Sequence, residues 1–215
     1  METFEHMMDP DGDVVITLNN PGAPFAPWDG ASAPAPREDS KAPQAVKFLA
    51  SSHHLKLASP VFKAALTGNW QEGTVTKGGR RQIETSDWDV EALRITLSIL
   101  HGRTLGISHT LTLEMLCKIA VLVDYYQCHE AFGFCSSVWI EHLRGSVAKI
   151  YGRDLILWLC VSWVFRDSGI FEAATGAAIE QSAEEIRTLE LPIPEWVTGT
   201  SPADQSIRPP IIDSI

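Results

Sequence analysis

Residues 48–66 read FLASSHHLKLASPVFKAAL, a stretch that begins as one kind of backbone and ends as another. Its start continues AVKFLAS at residues 45–51, where Val46 and Phe48 fall on one face and Lys47 and Leu49 on the other, the period-two pattern of a strand. Its end opens with Ser59-Pro60. A serine at the cap offers an oxygen to the free N–H groups of a first turn. A proline behind it has its φ already set and no N–H to leave unpaired. Val61, Phe62, Ala65 and Leu66 then make an apolar stripe at helical spacing, and Gly68 is expected to end the helix.

Toward the N-terminus, DVVITL at residues 13–18 is a β-branched run behind an Asp11-Gly12 turn, and reads as a second strand. Residues 19–44 separate the two strands and hold six prolines, a composition that favours neither helix nor ladder and predicts a flexible surface insertion. Toward the C-terminus, residues 73–79 read as a polar loop and RQIET at 81–85 as a third strand. Ser86 or Asp87 then caps a helix carrying Val90, Leu93, Leu97 and Leu100, stopped by Gly102. Thr112 opens another, with Leu113, Leu116, Ala120 and Val123 on one face. Residues 131–143 and 154–187 also read as helices. The order predicts an α+β fold, a small sheet flanked by helices with a helical C-terminal extension over 131–190. Residues 1–10 read as an N-terminal tail, and 191–215, with five prolines, as an extended or disordered one.

The stretch 48–66 resembles the core signature of BTB/POZ domains, through Phe48, Ala50, Leu55, Ser59, Pro60, Val61 and Phe62. That signature runs from an aromatic-ended strand through a short linker helix to a Ser-x-hydrophobe-Phe helix start. Gly12-Asp13-Val14-Val15 looks like the family's first strand. Ile83 to Asp87 with the helix to His101-Gly102, and Leu122-Val123-Asp124-Tyr125-Tyr126-Gln127-Cys128, resemble its later elements in the family's order. The resemblance spans about residues 11–130 and is closest to the fungal group. It implies a protein–protein interaction module: a homo-oligomerisation domain, or a substrate adaptor for a cullin-type ubiquitin ligase. Cullin-binding members carry a hydrophobe-x-Glu motif just after this helix, a place filled here by Trp70 and Glu72. Trp70 would be an aromatic anchor and Glu72 its charged rim. Ser51-Ser52 stand where many animal members have His followed by Lys or Arg, so the family's charged pocket is not carried over.

Bulk properties narrow the alternatives. The net charge of −10 places eight acidic against two basic residues in 1–44, and the nearest basic cluster is Lys77, Arg80 and Arg81. That is too little to neutralise a run of phosphates, so no nucleic-acid partner is expected. The four cysteines, Cys117, Cys128, Cys135 and Cys160, form no C-x-x-C pair and read as reduced thiols of an intracellular protein, in cytoplasm or nucleus. The longest apolar run, Leu155 to Phe165, would cover about 16 Å as a helix, half a bilayer, so no membrane partner is expected.

Four further groups are candidate sites. Cys117, Cys128, His129 and Cys135 lack the tight spacing of zinc ligands. His53 and His54 are adjacent and cannot chelate together, one being expected toward the core and one toward solvent. Asp87 and Asp89 stand at a helix N-terminus, where carboxylates are favoured without any catalysis. The Leu155–Phe165 run, with Trp158 and Trp163, serves either as core or as a partner face. Nucleophile-elbow, phosphate-loop, dinucleotide and zincin motifs are missing, so the expectation is a non-enzyme without cofactor or metal. The alternative is a small enzyme or metal-binding protein whose site a single sequence does not reveal.

Overall fold

The computed structural model describes residues 4–28, 44–67, 79–182 and 185–198. It is an α+β fold, a four-stranded mixed sheet followed by helices. The strands are β1 (His6–Met7), β2 (Val14–Asn19), β3 (Val46–Ala50) and β4 (Arg81–Ser86), in the spatial order β1-β3-β2-β4. The two strands expected to lead the sheet do pair: β2 runs antiparallel to β3, with Ile16 opposite Phe48. The third, β4, lies parallel to β2 on its other side, with Ile16 opposite Ile83. Val14, Ile16 and Leu18 enter the main core from one face of β2, and Val15 is buried on the other. A central strand covered on both faces reads as a near-continuous apolar run, and VVITL departs from that only at half-buried Thr17. Gly12 is required where β2 begins, because a Cβ there would lie 2.6 Å from the Ala50 carbonyl oxygen.

Between β3 and β4 stand α1 (Ser52–Ala58) and α2 (Pro60–Thr67). Ser59 serves both: its N–H closes α1 on the Leu55 carbonyl at 3.0 Å, and its Oγ accepts the Phe62 N–H at the start of α2 at 3.1 Å. Gly68, expected to stop α2, lies outside the described residues. The helices after the sheet are α3 (Val90–Leu100), α4 (Leu113–Tyr126), α5 (His129–Leu143), α6 (Arg153–Val164), α7 (Ser168–Gln181) and the one-turn α8 (Glu195–Thr198). Helix α4 packs against α2, α3, α5 and α6, and α6 also against α7, so one hydrophobic core runs from the sheet into the extension.

The elements depart from the sequence reading at several places. Residues 6–7, assigned to a tail, form β1, and Met8 behind it is buried. The insertion is not wholly loose: over 20–28, Ala26 is buried and Phe25 and Trp28 pack on the core. The cap of α3 is Asp89, not Ser86 or Asp87, its carboxylate accepting from the Glu91 and Ala92 N–H groups. Residues 154–187 are not one helix: Arg166, at φ 59°, breaks them into α6 and α7, and α7 ends at Gln181. In the C-terminal tail, Leu191, Ile193 and Val197 are buried.

Candidate functional site

Trp70 and Glu72 lie outside the described residues. The two stems that flank them are described, and they meet. The Arg81 guanidinium at the start of β4 donates to the carbonyl of Leu66 at the end of α2. The start of α2, in turn, meets the C-terminal end of α4. Phe62 stacks on Tyr126 with centroids 4.3 Å apart and planes at 10°, and Ser59 Oγ donates to the Tyr126 carbonyl at 2.5 Å. Burial pushes the Tyr126 phenol up to about 12, so it is a neutral packing group there.

The neighbouring Tyr125 points outward, 57% exposed, with Trp88 against its edge at 5.4 Å. Trp88 is half-buried and fixed by its indole N–H, which donates to Thr85 Oγ1 at 2.6 Å. An exposed tyrosine beside a half-buried tryptophan is the composition of partner-binding surfaces, where large rigid rings give area at small entropic cost. This pair is not among the residues that the sequence singles out. The available signal was that Tyr125 falls off the Leu116–Ala120–Val123 stripe of α4, leaving a large ring on the outer face.

The other candidates lie in different parts of the fold. Cys117, Cys128 and Cys160 are buried free thiols and Cys135 is half-buried. Burial pushes the Cys128 thiol up to about 12 and raises that of Cys135, the opposite of an activated nucleophile. Among the described residues, no group of three or more His, Cys, Asp or Glu side chains could hold a metal ion. His53 and His54 are both exposed, against the expectation that one would face the core. The α1 stripe that faces inward is Ser52 and Leu55, which leaves both imidazoles on the outer side.

Asp87 and Asp89 have separate tasks. Asp87 is exposed at φ 66°; Ser86 Oγ and Asn20 Nδ2 donate to it and hold its carboxyl below the usual range. Asp89 belongs to a network. Lys118 Nζ reaches Asp89 at 3.1 Å and Glu114 at 2.8 Å, and Arg153 reaches Glu114 at 2.8 Å. Burial works to raise the Asp89 carboxyl, but the Ala92 N–H and the Lys118 ammonium outweigh it and hold it low. Hydrogen bonds from Lys118, then Arg153, hold Glu114 low against burial. Burial works against the Lys118 charge too, and its two carboxylate partners raise it above the ordinary value. These groups satisfy one another and tie α3, α4 and α6 together.

In the apolar run, Leu155 to Ser162 are buried, Trp158 completely. Only its end opens: Trp163 is 37% exposed and meets Phe171 and Trp196 at 5.6 and 6.2 Å. Most of that run is therefore core, because α4 and α7 both cover α6. No helix among the described residues is long and apolar enough to cross a membrane. An open depression on α5, lined by Ser137, Val138, Glu141 and His142, brings together one carboxylate and one imidazole.

A scan against protein-family models finds no match for the chain. A search of curated proteins likewise finds no relative.

Proposed function

We propose that this chain is a protein–protein interaction module of the BTB/POZ kind, acting as an adaptor for a cullin-type scaffold. The observation that carries the reading is where the resemblance residues meet. Ser59 and Phe62, from the signature stretch, both close on Tyr126, from the Asp-x-Tyr-x-Cys segment, 67 residues away in the case of Ser59. Motifs far apart in sequence thus converge on one junction, and the Tyr125–Trp88 pair adjoins it through the Tyr125–Tyr126 contact. The proposed partner surface is the Trp70–Glu72 segment together with the outer face of α4. Enzyme and metal chemistry are the weaker reading, since the carboxylates of the described polar network are satisfied by partners and burial holds the Cys128 thiol neutral.

A second reading, self-association, has its own support. Met7 and Leu105 are exposed, and Arg103 holds the segment before Leu105 against β1 through the Met7 and Met8 carbonyls. Leu57 on α1 is also exposed.

Titration with the N-terminal domain of a cullin tests the adaptor function. Trp70→Ala with Glu72→Ala removes an anchor and its rim contact. The expected loss is about 2 kcal/mol, or about thirtyfold in Kd, with an unchanged circular dichroism spectrum. Unfolding of the double variant would assign Trp70 to the core. Wild type that does not bind at tens of micromolar would end the adaptor reading.

A further inference from the structure

Helix α1 starts without a cap of its own. Ser51 occupies the cap position at φ −96° and ψ 122°, yet its side chain makes no capping hydrogen bond. The first N–H groups are taken instead by two acceptors from elsewhere in the fold. The Ser51 N–H donates to His101 Nε2 at 2.9 Å, and the Ser52 N–H donates to Asp13 Oδ1 at 2.7 Å. Both acceptors titrate.

The geometry fixes the state of His101. Its Nδ1 lies 2.7 Å from the Leu97 carbonyl, which can only accept, so Nδ1 carries the proton and Nε2 is the bare nitrogen that Ser51 needs. The ring is buried at the end of α3. His54 of α1 stacks on it, centroids 5.1 Å apart and planes at 26°. The other charges that face it are Asp9, from the link between β1 and β2, which favours its protonation, and Arg103, just past α3, which opposes it. Burial, the largest influence, holds the imidazole below its ordinary value; the Leu97 carbonyl opposes that, and His54 adds to it. Burial works to raise the Asp13 carboxyl, but the hydrogen bonds from Ser52 outweigh it, with Lys56 on α1 adding to them, and hold it below its ordinary value.

We propose that the β3–α1 junction is a proton-operated latch, in which a proton taken from solvent onto Nε2 of His101 removes the acceptor for Ser51 and frees the start of α1. Two N–H groups then face each other where one hydrogen bond stood. Asp13 still holds Ser52 at this stage and lets go only in stronger acid, so the opening stays within the β3–α1 junction and α1. The latch does not depend on the adaptor reading.

Amide hydrogen exchange of the full chain tests it, read as protection after correction for the intrinsic pH dependence. Between about pH 7.5 and about pH 5, protection over residues 48–57 should fall about tenfold, while residues 155–162 in α6 keep theirs. His101→Gln, which keeps one donor and one acceptor but takes no proton, should abolish the response. The wild-type ring and amide nitrogen resonances give a second readout: His101 and the Ser51 amide should titrate with one midpoint. Flat protection over 48–57, an equal loss over 155–162, an unchanged response in His101→Gln, or separate midpoints for the ring and the Ser51 amide would each overturn the latch.

Discussion

Ser59 Oγ donates to the carbonyl of Tyr126 at 2.5 Å while it accepts the N–H of Phe62 at 3.1 Å. One buried hydroxyl thus caps α2 and ties the end of α4 to it. Ser59→Ala removes both bonds and leaves a buried carbonyl without its donor. The expected cost is about 2–3 kcal/mol, read as a lower urea midpoint with unchanged slope. A change within about 0.5 kcal/mol would mean that the junction is held by the Phe62–Tyr126 stack alone.

The early insertion is anchored from far along the chain. Arg153 at the start of α6 donates to the Phe25 and Ala26 carbonyls as well as to Glu114, and Arg187 lies over the Trp28 ring while donating to its carbonyl. Arg153→Met should destabilise by about 1–3 kcal/mol, since it strands two carbonyls and a carboxylate. Excising residues 22–28 should cost at least as much. Thermal melts of the two variants check this, and an excision without effect would restore the whole insertion to a dispensable loop.

Acid should destabilise through the Asp89–Lys118–Glu114 network. Asp89 and Glu114 sit below their ordinary values of 3.8 and 4.5, so the unfolded chain binds their protons first. Their contribution is complete above those values and is lost as pH falls through the lowered folded ones. Lys118 has the opposite sense: raised above 10.5, its contribution is lost as pH rises through the folded value. Urea midpoints measured against pH should fall on both flanks. Asp89→Asn, which keeps an oxygen for the cap but loses the charge, should flatten the acid flank.

The two tryptophans of α6 should behave differently. Trp158 is completely buried, and its indole N–H has no hydrogen-bond partner among the described residues. Trp158→Ala should cost about 3–5 kcal/mol. Trp158→Phe should cost much less, because the orphaned donor disappears with the lost volume. Trp163→Ala loses only the edge contacts to Phe171 and Trp196 and should cost about 1 kcal/mol. Equal penalties at the two sites would mean that Trp163 is covered in solution.

Local chemistry was legible in the sequence where it is strong. Ser59-Pro60, the VVITL run and the stripes of α3 and α4 gave the sheet, its leading pair and the helices, since period and cap are properties of neighbouring residues. What escaped depends on distant partners or on a single dihedral. The two residues of β1 are too few to show a period, and they form a strand because Phe48 and Leu49 lie alongside. Arg166 breaks a helix through one left-handed φ that leaves no mark on hydrophobic spacing. Phe25 and Trp28 sit in a proline-rich run and are ordered by arginines from the far end of the chain. At the candidate site, Trp70 and Glu72 came from resemblance alone. Tyr125 and Trp88 form a pair only through the packing of α4 beside the start of α3, which spacing does not encode.

Analytical ultracentrifugation of the full chain, alone and with the N-terminal domain of a cullin, tests the interaction-module account most directly. The account predicts a stoichiometric complex at low micromolar concentration, weakened about thirtyfold by Trp70→Ala with Glu72→Ala. Without cullin binding, a concentration-dependent dimer would keep the module and move its face to the Met7–Leu105 side. A chain that stays monomeric and sediments unchanged with the cullin at tens of micromolar would contradict the account.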